Sequence, residues 1–208
     1  MADILRRARA TAYAHTGTMH PRWEHIRSAG RRAEELARTG LVPRRIVVAA
    51  WLHDVGYGPA LLDTGFHPLD GARFLRSNGW PEEVASLVAW HSAADRDAER
   101  RGLEDQLAAF APPPQLELDM LNLIDLSTSP TGAAVTDCER IAEVIARHGP
   151  SSPTGSAKII AREELLASSA RAKAYLGLPE SWPAPVETDR NRTRERAAKV
   201  KAAVAGCC

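Results

Sequence analysis

The sequence predicts an all-α fold, and three features predict it. Apolar residues recur at helical spacing along nearly the whole chain. No run alternates apolar and polar residues as a half-buried strand does. Proline and glycine stand where helices start and stop, as where His67-Pro68 opens a segment that Gly79 closes.

The first helix is expected over residues 3–15. Arg6, Arg7 and Arg9 run through its middle, so it lacks the apolar stretch of a signal peptide or membrane span. Residues 23–39 place His25, Ala29, Ala33 and Leu36 on one stripe, with Gly40 as the stop. Residues 43–53 form a central buried helix, almost wholly apolar from Ile46 to Leu52, which Gly56, Gly58 and Pro59 break just after His53-Asp54. A helix over 67–79 follows, then one from Pro81 on which Val84, Leu87, Val88 and His91 share a face. The charged stretch 95–105 leads through Leu107 to Pro112-Pro113-Pro114, a linker or loop. Residues 116–127 resume the helix with Leu118, Leu121 and Asp125 on one stripe, and Thr136 with Glu139 forms a capping box for a helix to Arg147. A Gly/Ser/Pro loop at 150–155 precedes a long final helix over 157–176.

A chain of 208 residues fits one domain with appendages and can bury a core without disulfides. Residues 1–178 read as that domain. Residues 179–208 read as a mobile charged tail, with six basic residues between Asp189 and Lys201. Val200 and Val204 would share a face if the tail were helical. Lysine plus arginine total 27 against 26 acidic residues, so no global positive field points to a nucleic-acid polymer or an anionic membrane. Cys138, Cys207 and Cys208 make no framework of spaced pairs, which leads us to expect the cytoplasm. The Cys207-Cys208 ending has the form of a prenylation site but reads as a frayed terminus. Homo-oligomerisation stays open.

Four of the seven histidines fall in an ordered set: His25, adjacent His53-Asp54, His67, His91 and finally Asp125. A lone histidine on an apolar face is more often a hydrogen-bonded core residue, and adjacent His-Asp arises by chance. The joint order outweighs those readings. His91 and Asp125 occupy core-facing registers, and an isolated buried carboxylate costs several kcal/mol, so a cation should meet it. Imidazole nitrogen with carboxylate oxygen suits Fe, Mn or Zn.

These residues resemble the HD-domain superfamily of metal-dependent phosphohydrolases. Trp23-Glu24-His25-Ile26-Arg27-Ser28 looks like the family's first ligand helix, and His53-Asp54-Val55-Gly56 like its His-Asp-x-Gly turn. His67-Pro68-Leu69-Asp70-Gly71 with Phe74-Leu75 is similar to a segment of the HD-GYP cyclic-dinucleotide phosphodiesterases, and Trp90-His91-Ser92 falls where those carry paired histidines. The resemblance covers residues 23–132. It implies an HD-like helical bundle holding a divalent metal, and the ligand count favours two ions of Fe, Mn or another transition metal bound by His25, His53, Asp54, His67, His91 and Asp125. Asp54 would bridge them, and a metal-bound hydroxide would attack a small phosphate ester, a nucleotide being one such substrate. Tyr57 would donate its hydroxyl to substrate. Arg27 and Arg73, the arginines nearest the ligands in sequence, would hold phosphate oxygens, with Ser129 and Thr131 lining the pocket.

Departures narrow the substrate by exclusion. Tyr57 stands where HD-GYP proteins have lysine, and no Gly-Tyr-Pro follows His91; Val55-Gly56-Tyr57-Gly58 supplies neither the glutamate of deoxynucleotidases nor the acidic pair of guanosine-tetraphosphate hydrolases. A second reading is the HD-type di-iron oxygenase acting on a small organophosphonate or polyol. Those phosphonate oxygenases carry Tyr-x-x-Glu before the first histidine and a basic residue before the last aspartate. Here Thr18-Met19-His20-Pro21-Arg22 and Asn122 occupy those regions, which favours the hydrolase. A third reading is a non-catalytic nucleotide-binding module, against which the intact ligand set argues.

Overall fold

The computed structural model of the chain describes residues 2–183. Among them are eleven α-helices and no strand beyond one isolated bridge between Thr128 and Ala134. The first five helices are α1 (Ala2–Thr16), α2 (Arg22–Ala37), α3 (Arg44–Leu52), α4 (His67–Ser77) and α5 (Glu82–Trp90). After them come α6 (Ala94–Arg101), α7 (Glu104–Leu107), α8 (Gln115–Leu126), α9 (Asp137–His148), α10 (Pro153–Ile160) and α11 (Arg162–Leu176). Tight 3-10 turns follow α3, at Val55–Tyr57 and Pro59–Leu61, and α5, at His91–Ala93. The fold is thus the all-helical bundle expected. No described helix is long and apolar enough to cross a membrane.

The centre is α3. Every residue from Ile46 to Leu52 is buried, as expected of a helix apolar on all sides. It packs against α1, α2, α5 and α8. Burying a side chain such as Leu52 contributes about 1.5–3 kcal/mol. Two glycines set the close approaches. A Cβ on Gly30 of α2 would lie 2.4 Å from the Trp51 ring, so residue 30 must be small for α2 to lie on α3. A Cβ on Gly56 would lie 2.1 Å from the His67 carbonyl oxygen. The turn after His53-Asp54 therefore rests directly on the first turn of α4.

Two segments differ from the sequence reading. The charged stretch 95–105, to which the sequence reading gave no helix, is mostly helix, in α6 and α7, and Pro112-Pro113-Pro114 beyond it is the loop expected. Ala94 and Ala98 bury one face of α6, Arg101 reaches back to Asp97 at 2.6 Å, and buried Asp97 accepts from Thr154 at 2.8 Å. Gly102, at φ 66°, ends the helix in the left-handed region that favours glycine. The single final helix expected over 157–176 is two helices. Ser152 caps the first by accepting from the Gly155 amide at 3.0 Å, with Pro153 in the first turn. The chain then bends at Ala161 because α10 packs on α6 and α9 whereas α11 packs on α8. The capping box at Thr136 and Glu139 is formed as expected.

Packing continues past residue 178, since Trp182 lies against the main core and under Arg32 at 5.6 Å. The basic run at 189–201, Val200, Val204 and Cys207-Cys208 lie outside the described residues.

Candidate metal centre

Separate segments deliver the six predicted ligands. His25 lies in the first turn of α2, His53 caps the C-terminus of α3 with Asp54 next, His67 opens α4, His91 follows α5, and Asp125 lies in the last turn of α8. The structure brings all six together. All are buried except His67, which is partly exposed.

Asp54 is the hub. Its Oδ2 lies 3.7 Å from His25 Nε2 and 3.5 Å from His53 Nε2; its Oδ1 lies 3.2 Å from His67 Nε2 and 3.9 Å from His91 Nε2. Asp125 Oδ1 joins the first side, 3.1 Å from His25 Nε2 and 4.0 Å from His53 Nε2. Two donor groups result, His25/His53/Asp54 and Asp54/His67/His91, each with its donor atoms within 4.8 Å of one another. Donors about 2.1 Å from one transition-metal ion stand roughly 3.0–3.4 Å apart in octahedral or tetrahedral coordination. The observed spacings are close to that, so the donor set fits a divalent metal.

Ring orientation fits as well. Nδ1 of His25, His53 and His91 donates to the carbonyls of Ser129 (3.2 Å), Ala50 (2.8 Å) and Val88 (2.7 Å). A proton held on Nδ1 leaves the Nε2 lone pair free to ligate. His67 is fixed differently, stacked on Tyr57 with ring centroids 4.0 Å apart. Burial, then the neighbouring imidazoles, pushes His91 down to about 3, and burial lowers His25 and His67 too. Burial would raise Asp54 and Asp125, but Arg22 and the histidines around Asp54, and His25, His53 and Arg140 around Asp125, hold both well below the usual carboxylate range. At neutral pH His25, His67 and His91 are therefore neutral imidazoles and Asp54 and Asp125 ionised carboxylates, the ligating forms.

Over the ligands lies a pocket walled by cations that the sequence reading missed. Arg22 donates to Asp54 Oδ2 at 2.5 Å and lies over the Tyr57 ring at 3.8 Å. Arg140, nearly fully buried, approaches Asp125 Oδ1 at 3.8 Å, and Arg147 and His148 line the same space. Lys158, also buried, donates to the carbonyl of Ser92 and, at 2.7 Å, to its hydroxyl; burial lowers it to about 8. Burial raises Tyr57 to about 12, so its hydroxyl keeps its proton at neutral pH. Three of these cations left a trace in the sequence. Arg22 precedes His25 by one helical turn, and Arg140, Val144 and Arg147 share a stripe of α9 whose apolar members are buried. Lys158 left none.

Arg27 and Arg73 are not brought to the pocket. Arg27 pairs with Glu24 on its own helix, and Arg73 bonds Asp63 at 2.9 Å and Gln106. Both are nearest the ligands only along the chain. Ser129 and Thr131 bond each other at 3.2 Å in the turn after α8; Ser129 meets the site through its carbonyl on His25. Trp90 donates its indole N–H to the Phe110 carbonyl at 2.8 Å, a packing position beside His91.

A buried centre of one isolated histidine, an adjacent His-Asp and a distant aspartate inside a helical bundle defines a class of metal-binding domain. The chain belongs to the HD domain family, whose model matches residues 22–201. HD domains bind divalent metals and are generally metal-dependent phosphohydrolases. No curated protein and no solved structure matches the chain.

Proposed function

We propose that this protein is a metal-dependent phosphohydrolase that uses two divalent ions to cleave a small phosphate ester, a nucleotide being one such substrate. The observation that carries the reading is a shared buried Asp54, one oxygen toward each donor group, beneath a wall of Arg22, Arg140, Arg147 and Lys158. Cations fixed by burial along the pocket wall suit the charge on phosphoryl oxygens.

When bound by these residues, divalent ions supply an activated water as nucleophile and neutralise phosphoryl charge. The chain's own groups do the rest. Arg22 has more N–H donors than Asp54 uses, so it can hold that carboxylate and a phosphoryl oxygen together. Arg140 and Arg147 supply further donors from one face of α9. Lys158 spends two bonds on Ser92, and its third N–H is available to substrate. Tyr57 keeps its proton and orients it toward substrate, while its ring holds His67 in place.

The same carboxylate-bridged histidine set also supports a second reading, a di-iron oxygenase acting on a small organophosphonate or polyol. Purified protein loaded with Mn, Fe or Ni and given generic phosphomonoester and phosphodiester substrates separates the two. Phosphate release without dioxygen consumption supports the hydrolase; dioxygen consumption with retained iron supports the oxygenase. In either case His53→Ala and Asp54→Ala should lose metal and turnover with helical content largely kept. A variant with full metal and full activity removes its residue from the mechanism.

A further inference from the structure

The turn after His91 is held in an uncommon backbone conformation. Ser92 (φ 60°, ψ 39°) and Ala93 (φ 59°, ψ 43°) are consecutive non-glycine residues in the left-handed region, and no other non-glycine residue described has positive φ. Such a conformation persists in L-residues only where the surroundings impose it. Here a buried polar chain does so. The Ser92 amide donates to Asn122 Oδ1 at 2.7 Å. Asn122 Nδ2 donates to Ser168 Oγ at 3.1 Å, Ser168 donates to Asp119 at 2.7 Å, and Arg171 grips Asp119 with two bonds of 2.7 and 2.8 Å. Asn122, Ser168 and Asp119 are all buried. From the other side, Lys158 binds the Ser92 carbonyl and hydroxyl.

We infer that Asn122 is a positioning residue for the His67/His91 side of the metal centre. By fixing the Ser92 amide it imposes the left-handed turn that aims His91 Nε2 at Asp54 Oδ1. The inference rests on the two-ion reading above. The Asn122 side chain hydrogen-bonds the Ser92 amide and Ser168 and no ligand side chain; it acts through the backbone of the residue after His91. Its loss lets the Ser92-Ala93 turn relax toward ordinary φ, swinging His91 away while His25, His53 and Asp125 stay in place. Groups that orient ligands from behind typically set metal affinity by 10- to 100-fold.

The test is calorimetric titration with Mn²⁺ and elemental analysis of wild type, Asn122→Ala, Ser168→Ala and the triple variant Asn122→Ala/Ser92→Gly/Ala93→Gly, with unfolding curves as a check of integrity. Wild type should bind two ions. Asn122→Ala should keep the first ion's Kd within about twofold and weaken the second by about tenfold or more. Ser168→Ala, a milder change, should weaken the second ion in the same direction by less. Glycine adopts the left-handed turn without steric cost, so the triple variant should regain most of the lost affinity. Two ions bound by Asn122→Ala with wild-type affinities, equal weakening of both ions, or no recovery with glycine would each overturn the inference. A wild-type chain that binds one ion overturns the two-ion reading and this inference with it.

Discussion

Acidification of the metal-free protein should unfold it through its histidines before its carboxylates. His91 is fully buried and pushed from 6.5 to about 3, first by burial and then by His53 and His67. Between those values the unfolded chain takes up a proton that the folded chain refuses, so stability is fully present above pH 6.5 and is lost as pH falls toward 3. The whole shift corresponds to on the order of 5 kcal/mol, and the part lost by pH 5 to about 2 kcal/mol. That is a large share of the ~5–15 kcal/mol by which domains are stable. His25 and His67, also lowered by burial, act in the same direction. Asp54 and Asp125 have depressed values, so their contribution is lost only as pH falls below about 4. The assay is urea denaturation of EDTA-treated protein at pH 7.5 and 5.0, for wild type and His91→Gln. Wild type should lose about 2 kcal/mol or more, and His91→Gln less. Saturating Mn²⁺ should raise stability at both pH values without removing the loss, because the ion also keeps the folded imidazoles neutral while the unfolded chain still takes up the proton. Equal wild-type stability at the two pH values, or the same loss in His91→Gln, would refute the reasoning.

Arg140→Ala should lower kcat/KM on a phosphomonoester by roughly 10- to 100-fold, the worth of one charge-assisted hydrogen bond, while Arg27→Ala and Arg73→Ala stay near wild type. Steady-state kinetics of the three variants checks this, and a larger loss at Arg73 would return that residue to the site. KM should rise as pH passes about 8, where Lys158 loses its charge, and the break should vanish in Lys158→Met, which has a raised KM at every pH. Gly56→Ala places a methyl against the His67 carbonyl and should cost about 1–3 kcal/mol, lowering Tm by several degrees and weakening metal binding. Thermal melts with and without Mn²⁺ measure both effects.

Helices α2, α3, α4, α5 and α8 were legible in the sequence because each buries one continuous stripe or a wholly apolar surface that the periodicity records. The ligands were legible for a related reason: His91 and Asp125 sit in core-facing registers where a polar residue needs a partner. Helix α6 was not, because its stability comes from two buried alanines, an Asp97–Arg101 pair and Thr154 from a distant helix. The bend at Ala161 was not, since it reflects which neighbours α10 and α11 face and no proline or glycine marks it.

The linear order of residues by itself determined the helical class, the membership of the donor set and the likeness to HD domains, because periodicity and residue chemistry are local properties. Tertiary structure alone decided that Asp54 turns one oxygen to each donor group, that Arg22, Arg140, Arg147 and Lys158 wall the pocket in place of Arg27 and Arg73, and that Asn122 pins the turn behind His91. Each of those is a distance between atoms on different helices, and proximity along the chain carries no information about it.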